Sequence, residues 1–593
     1  MSILKRFILS QVGMMAFAIS SHATLIQILH TNDLHAAVET YGAPDTNELE
    51  YGGWAQLKAV MDKLTADAKA QGIETVKLDA GDFTEGTSFY FQNAGAAVIR
   101  AYQHLGYDAS AMGNHDWLMG AEDMDTLYGN NPFPFPVLSA NVKIDKSLVN
   151  LRGQIVPSTQ IERSGIKIGI FGLSTDEDLY GWIPSVNSKK NAMKIQDYRM
   201  QVTPGDGESG TRLTPGIANT QIQKLREDND VVIALTHIGF EEDRFLAANS
   251  QGLDLIIGGH SHTFLTEPSK VLDKDENAVP IVQTGFNGKY VGKILLDVKD
   301  GERPKFVSYE LIPVIRSGAK DSALDHEIQA MHTLRKDQFG NRLDEVIGYS
   351  EDRLVSGDGG PTSFSKFAAD SLYEVEDTDF SLDIGSFHGN TPQPAGPVTR
   401  LNLMEMYPRK FETDQNEGLY VYKADIPGFL ISIGLKYVIR FGLYVEMHGV
   451  TYDMNKMSDH QYEKEKTKFA GTPDERLLTK FFPSNIQIKG EPLHNFKWYT
   501  LSAPESLVRG ALSLSPFMKL LIHRAHPTSH TIWDAMNFHL LKIHKIEEVP
   551  MPLVDSPWSQ GIHVPRSFMS GLMSQSISEF KSHPVEAKDA KPE

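Results

Sequence analysis

An α/β fold with covered sheets is what the first half of this chain predicts. Short apolar runs alternate there with stretches of helical spacing, and turn-forming residues separate them. Polar residues of metal-ligand type stand where several of the apolar runs end, which is where sheets flanked by helices carry their chemistry. At 593 residues the chain exceeds a single core, so two large domains are expected.

The N-terminus reads as an export signal. Lys5 and Arg6 precede the apolar stretch 7–20, too short for a comfortable membrane span, and Ser21-His22-Ala23 offers a small-x-small cleavage site. The mature chain is expected to begin near Thr24 and to be periplasmic or secreted. No later apolar run approaches membrane length, so no membrane span is expected. Residues 25–29 read as a strand ending at His30-Thr31-Asn32-Asp33-Leu34-His35. Residues 53–68 have helical spacing, and 75–78 form a strand ending at Asp79-Ala80-Gly81-Asp82. A helix follows at 96–105, and a short buried strand at 107–112 leads into Gly113-Asn114-His115-Asp116. Further strands are expected at 137–138, 167–171, 231–235 and 253–257. The segment 198–213, rich in Gly, Thr and Pro-Gly, reads as a surface insertion. Residues 316–343 form a candidate linker with one polar helix at 325–336, a second alternating pattern covers 344–550, and 551–593 is a Ser/Pro/Lys-containing tail.

The composition, 41% apolar and 22% charged, is that of a chain that buries a core rather than a disordered one. A net charge of −19 argues against a nucleic-acid binder, because phosphate-backbone affinity comes mainly from Lys and Arg. An anionic small substrate is still allowed, since a bound metal inverts the local field. With no cysteine, a metal would have to be held by His, Asp, Glu or Asn.

Each of five motifs puts such residues directly after an apolar run. Asp33-Leu34-His35 sets a carboxylate and an imidazole two apart, hence on one side of an extended segment. Gly81-Asp82 adds a carboxylate, Asn114 an amide oxygen beside His115, and Thr236-His237 an imidazole. Gly259-His260-Ser261-His262 again sets two imidazoles two apart. Any one of these is ordinarily a polar turn. Together, Asp33, His35, Asp82, Asn114, His237, His260 and His262 supply enough donors for two divalent ions if one carboxylate bridges them. A mixed N/O set suits Zn²⁺, Mn²⁺ or Fe. Two ions about 3.5–4 Å apart sharing a hydroxide are the usual arrangement for phosphate-ester hydrolysis.

In this order the motifs Asn-Asp-x-His, Gly-Asp, Gly-Asn-His-Asp, Thr-His and Gly-His-Ser-His resemble the calcineurin-like metallophosphatase signature. The wording around them is similar to the bacterial 5′-nucleotidase/UDP-sugar hydrolase family: Leu29-His30-Thr31-Asn32-Asp33, Phe135-Pro136-Val137-Leu138-Ser139-Ala140-Asn141, the run from Gly165 to Leu173, and Val282-Gln283-Thr284-Gly285. The resemblance implies a four-layer α/β/β/α metallophosphatase domain over 24–315, then a linker helix and a second, α+β substrate domain. It implies that Asp33, His35 and His262 hold one ion, that Asn114, His237 and His260 hold the other, and that Asp82 bridges. It also implies that His115 is no ligand but stabilises the charge that develops on the phosphoryl or leaving oxygen. The family supports this His with the Asp that closes Asn-His-Glu-Phe-Asp. Here Leu118 has that place, so either Asp116 or a carboxylate from elsewhere orients the ring.

In the second half the likeness is fainter. The family's Asn-Gly-Gly-Gly-Ile-Arg is replaced by Ile384-Gly385-Ser386-Phe387-His388-Gly389. Of the two aromatics that sandwich a base, the first should fall near Gly442, with Phe441 and Tyr444 as shifted candidates, and the second near Ser506, where the accompanying Asp is gone. Stacking contributes about 1–3 kcal/mol per base, so losing both partners would weaken nucleotide binding. Arg400, Arg409 and Arg440 are candidates to clamp a phosphate, against a plainer reading as surface or helix-end charges. The expected function is an exported dinuclear-metal phosphomonoesterase acting on a small phosphorylated substrate, a 5′-nucleotide first, through a metal-bridging hydroxide. The alternatives are a cyclic-nucleotide or sulfur-ester hydrolase on the same scaffold, or a non-catalytic binding protein that keeps the fold.

Overall fold

The computed structural model describes residues 24–41, 50–117, 121–175, 200–202, 215–299, 301–357, 360–389, 391–409, 418–469, 478–513 and 518–549. The expected signal segment 1–23, Leu118, most of the 198–213 insertion and the 551–593 tail lie outside the described residues.

Two sheets form the centre of the first domain. One runs in the order Lys305–Pro313, Tyr290–Val298, Thr24–Thr31, Glu74–Asp79, Ala109–Ala111, Val137–Leu138, Ile155–Val156. The other runs Ser269–Leu272, Ala278–Val282, Leu255–Gly258, Val231–His237, Ile166–Ser174, Ser158–Arg163. Their central strands are parallel and buried on both faces, so they read as near-continuous apolar runs. Ile26, Ile28, Val76 and Leu78 of one sheet meet Ile168, Ile170, Ile233 and Leu255 of the other in a shared core. A Cβ on Gly172 would fall 2.2 Å from the Leu138 carbonyl oxygen, so glycine is what lets the sheets approach there. On the outer faces, Leu29 joins a core with residues of the helix Trp54–Lys69. Phe171, Val232 and Ala234 pack with residues of Pro215–Arg226 and Phe240–Asn249. The four layers are thus α/β/β/α.

Parallel register sets the strand ends level. Thr31 lies opposite Asp79, Asp79 opposite Ser110, and Ser174 opposite His237. The carboxyl ends of several strands therefore open on one side.

The helix Ser322–Phe339, capped by the Asp321 side chain on the Leu324 N–H at 2.9 Å, leads into the second domain. That domain is α+β. Its main sheet runs Val445–His448, Phe380–Ile384, Trp498–Pro504, Tyr420–Pro427, His523–Thr531, and the helices Ser363–Val375 and Ile532–Ile543 pack together. One continuous core joins the domains: Phe91 meets Trp533 at 5.0 Å between ring centroids, and Trp533 donates to the Tyr407 carbonyl at 2.9 Å. Among the described residues no helix is long and apolar enough to cross a membrane.

Candidate metal centre

The carboxyl ends of Thr24–Thr31, Glu74–Asp79, Ala109–Ala111, Val231–His237 and Leu255–Gly258 bring the ligand-type residues together. Their loops are laced by backbone hydrogen bonds. Asp33 N–H donates to Gly81 O at 2.9 Å, His35 N–H to Asp82 O at 2.8 Å, and Asn287 N–H to Asp33 O at 2.7 Å. Asn32 pins the first loop, accepting from both Thr284 N–H and Thr284 Oγ1 at 2.8 Å and donating to Gly285 O at 2.6 Å. Asp33, His35, Asp82, His260 and His262 have φ of 53°, 46°, 58°, 77° and 52°. This left-handed conformation costs a non-glycine residue about 1–3 kcal/mol and persists where surrounding structure enforces it, characteristically at functional sites. Gly113 is needed for another reason: a Cβ there would lie 2.1 Å from Asp82 Oδ1.

Three overlapping groups hold one donor atom of each member within 4.8 Å of the others: Asp33, His35 and His262; His35, Asp82 and His115; Asp82, His237 and His260. Asn114 adjoins the last, its Oδ1 2.8 Å from His260 Nδ1 and 3.1 Å from His237 Nε2. His35 Nδ1 donates to Glu85 O at 3.0 Å and His237 Nδ1 to Ala80 O at 2.7 Å, which turns each Nε2 inward as a lone pair. That of His35 faces His262 Nε2 at 2.9 Å, and that of His237 faces Asp82 Oδ2 at 3.0 Å and the Asn114 oxygen. Acceptors converging in this way repel unless a proton or a cation lies among them.

Neighbouring charges set how these buried groups are protonated. Burial opposes charging His237, yet Asp82 lifts it to about 10; burial and then the neighbouring His262 charge hold His35 down to about 3. Against burial, His237 in turn holds Asp82 well below the usual carboxylate range. The Asn114 Nδ2 is buried with no hydrogen-bond partner, the amide being turned oxygen-first toward the imidazoles. These residues fit a pair of borderline-hard divalent ions, with Asp33, His35 and His262 on one side, Asn114, His237 and His260 on the other, and Asp82 between.

His115 sits beside this cluster, its Nε2 4.0 Å from Asp82 Oδ2 and its ring edge-on to His35 at 5.0 Å. Asp116, expected as its companion, has both oxygens on backbone donors instead: Asp82 N–H at 3.0 Å, Gly113 N–H at 2.8 Å, and Phe83 and Thr84 N–H at 3.1 Å. The turn carrying Asp82 needs acceptors, and Asp116 supplies them; burial and then the Asp82 charge push its carboxyl up to about 6. A carboxylate from elsewhere meets the ring. Glu85 Oε2 lies 2.5 Å from His115 Nδ1, and Arg409 Nη1 lies 2.9 Å from the same oxygen. Glu85 escaped the sequence reading because it follows Asp82 inside an ordinary-looking turn. The available signal was an acid in a ligand-bearing loop, followed by Gly86, where a Cβ would strike His35 O at 2.6 Å.

Of the second-domain candidates, Arg409 is brought to His115. Arg400 is bound to Glu345 at 3.1 Å, and Arg440 to the Thr479 carbonyl at 2.6 Å. Phe441 is buried against Tyr437, and the Tyr444 hydroxyl donates to Glu446. These contacts of Arg400, Arg440, Phe441 and Tyr444 lie within the second domain.

Residues 26–264 match the calcineurin-like phosphoesterase family. The 5′-nucleotidase of Diplobatis ommata is 30% identical over 346 residues, covering 54% of this chain and 54% of its own. The chain thus spans about half the length of the curated relatives it matches. A 5′-nucleotidase precursor from Thermus thermophilus shares the fold with a TM-score of 0.71 at 20% identity, over 89% of this chain and 98% of that one. The Thermus thermophilus sulfate thiohydrolase SoxB does so with a TM-score of 0.66 at 16% identity, over 91% and 98%.

Proposed function

We propose that this chain, whose residues 26–264 form a calcineurin-like phosphoesterase domain, hydrolyses phosphoric monoesters with the help of two divalent cations. A 5′-nucleotide is the first candidate substrate, supported by relatives such as the Diplobatis ommata 5′-nucleotidase. Action outside the cytoplasm is supported by the basic-then-apolar segment 1–23.

The observation that carries this reading is the place of Asp82. Its Oδ2 faces His237 Nε2 at 3.0 Å and His115 Nε2 at 4.0 Å, and its side chain is shared by the group with His35 and His115 and the group with His237 and His260. When bound, a cation pair neutralises phosphoryl oxygens and makes water nucleophilic at neutral pH. The chain's residues set the geometry for that chemistry. Asp82 fixes the spacing of the two donor sets, and the Asp33 carboxylate holds the His260 loop through its N–H at 3.0 and 3.1 Å. The Phe286 ring stacks on His262 at 5.0 Å, with Lys289 4.0 Å above the Phe286 centroid, giving one wall a positive rim for an anionic ester. His115 presents Nε2 toward the reacting group and holds a proton for the departing oxygen.

The test is phosphate release by the full chain loaded with Mn²⁺, Zn²⁺ or Co²⁺, on 5′-nucleotides, sugar phosphates and p-nitrophenyl phosphate. At least one ester class is expected to turn over, with His115→Ala lowering kcat by about 10²–10⁴-fold at unchanged metal content. No release from any ester with any metal would remove this reading.

A further inference from the structure

Glu85 and Arg409 approach His115 from opposite domains, and nothing in the family signature accounts for either. We infer that they form a buried pair that fixes the His115 ring for proton donation to the leaving oxygen, so that the second domain supplies a positioning residue to the catalytic histidine of the first. This rests on the phosphoesterase reading above.

The donors and acceptors allow one arrangement. Arg409 is donor-only, and its Nη1 meets Glu85 Oε2 at 2.9 Å, so that oxygen accepts. His115 Nδ1, 2.5 Å from the same oxygen, must then carry the hydrogen. The 3.0 Å between Arg409 Nη1 and His115 Nδ1 is two donors side by side on one acceptor. With Nδ1–H on Glu85, the ring turns Nε2 toward the ligand cluster, where it faces Asp82 Oδ2 at 4.0 Å. Arg409 is itself held by its Nε, which donates to Phe387 O at 3.2 Å. Glu85, His115 and Arg409 are 1%, 7% and 6% exposed, so water does not substitute for any member of the set. Glu85 also orients a second ring, since its carbonyl accepts from His35 Nδ1 at 3.0 Å. One residue thus sets the tautomer of a metal-ligand candidate through its backbone and of the proton donor through its side chain.

In the reaction, water attacks phosphorus and the ester P–O bond breaks with its electron pair on the leaving oxygen. That oxygen takes the Nε2 proton, the ring becomes neutral while keeping Nδ1–H on Glu85, and a proton from the attacking water restores Nε2–H. Glu85 stabilises the ring while it is charged, and Arg409 provides the charge-assisted bond that keeps the buried carboxylate compensated.

The test uses the full chain and esters of graded leaving group: p-nitrophenyl phosphate, phenyl phosphate and a sugar phosphate. Glu85→Gln is expected to lower kcat about 10²-fold for the sugar phosphate but less than about tenfold for p-nitrophenyl phosphate, whose leaving oxygen needs little proton. KM and metal per chain stay unchanged. Arg409→Gln gives a smaller loss with the same leaving-group order, and Arg409→Lys recovers part of it. In a His115→Ala background neither change costs more, because both act through the ring. Equal losses on all esters, a fall in bound metal, or full additivity with His115→Ala would overturn the inference. A wild-type chain inactive on every ester would instead remove the phosphoesterase reading. The ring's placement is then read in metal-free protein by ¹⁵N-histidine resonance, assigned against His115→Ala. In wild type the His115 Nδ1 resonance is expected to report a bound hydrogen whether or not Nε2 is protonated, and in Glu85→Ala the neutral ring is expected as a tautomer mixture; identical spectra overturn it.

Discussion

Both oxygens of Asp116 are filled by the backbone: Oδ2 takes the N–H groups of Asp82 and Gly113, and Oδ1 those of Phe83 and Thr84. The residue therefore acts on the site through the shape of the loop that presents Asp82. Asp116→Asn keeps the volume but replaces one acceptor oxygen by an NH₂ facing two N–H donors. Leaving buried donors unpaired costs about 1–3 kcal/mol each, so a loss of about 2–6 kcal/mol in urea unfolding is expected, together with weaker metal retention on dialysis. Asp116→Asn with wild-type stability would mean that the loop finds its acceptors elsewhere. The same atoms show what was legible at this scale. Residue type and position after a strand pointed to Asp33, His35, Asp82, Asn114, His237, His260 and His262, because ligand chemistry is local to a side chain. Which of two nearby acids meets His115 was not legible, since Asp116 and Glu85 differ only in how a tight turn aims them.

Among the elements, the strand Val231–His237 and the helix Phe240–Asn249 share a buried acid that carries no sequence mark of its own. Asp243 accepts from Thr236 Oγ1 at 2.6 Å and from Gln283 Nε2 at 3.3 Å, and a Cβ on Gly258 would lie 2.0 Å from its Oδ2. Strand, helix and the end of Leu255–Gly258 thus close on one carboxyl directly behind His237. Burial pushes Asp243 up to about 8, against the hydrogen bonds from Thr236 and Gln283. A folded pKa above the unfolded one means that the native state binds the extra proton. The group's stability contribution is then complete below about pH 4 and is lost as pH rises through about 8. Asp243→Asn stays neutral throughout, so in metal-free protein with chelator its Tm should gain on wild type between pH 5 and pH 9. A Tm difference that stays flat across that range would show that Asp243 is ionised in the fold. The strands themselves were legible because burial on both faces makes them continuous apolar runs. The helix Ser322–Phe339 extends beyond the expected 325–336: Asp321 caps it, and Leu324 in its first turn begins the buried set Leu324, Ile328 and Met331.

The whole molecule is joined where three segments distant in sequence bury charge together. Glu405 of the second domain accepts from the Ser88 N–H at 3.0 Å and from the Ser88 hydroxyl. Arg335 of the connecting helix approaches it at 3.4 Å and lies 4.6 Å over the Phe89 ring. Burial raises the Glu405 carboxyl, while Arg335 opposes the rise. No spacing rule foretold this cluster, nor the approach of Arg409 to His115. Both depend on how the second domain is seated, and in that domain the landmarks of the resemblance were faint. The seating nonetheless bears on the proposed chemistry, because Arg409 follows the helix Arg400–Met406 that carries Glu405. Removing Glu405 leaves a buried guanidinium without its carboxylate, which typically costs about 3–5 kcal/mol. Glu405→Ala is therefore expected to lower the calorimetric Tm and to split one unfolding transition into two, the second domain separating first. Arg400→Ala, which breaks an exposed pair with Glu345 near the same helix, should leave the single transition in place. If Glu405→Ala still unfolds in one transition with Tm unchanged, the aromatic contact of Phe91 with Trp533, and not the charge cluster, holds the domains together.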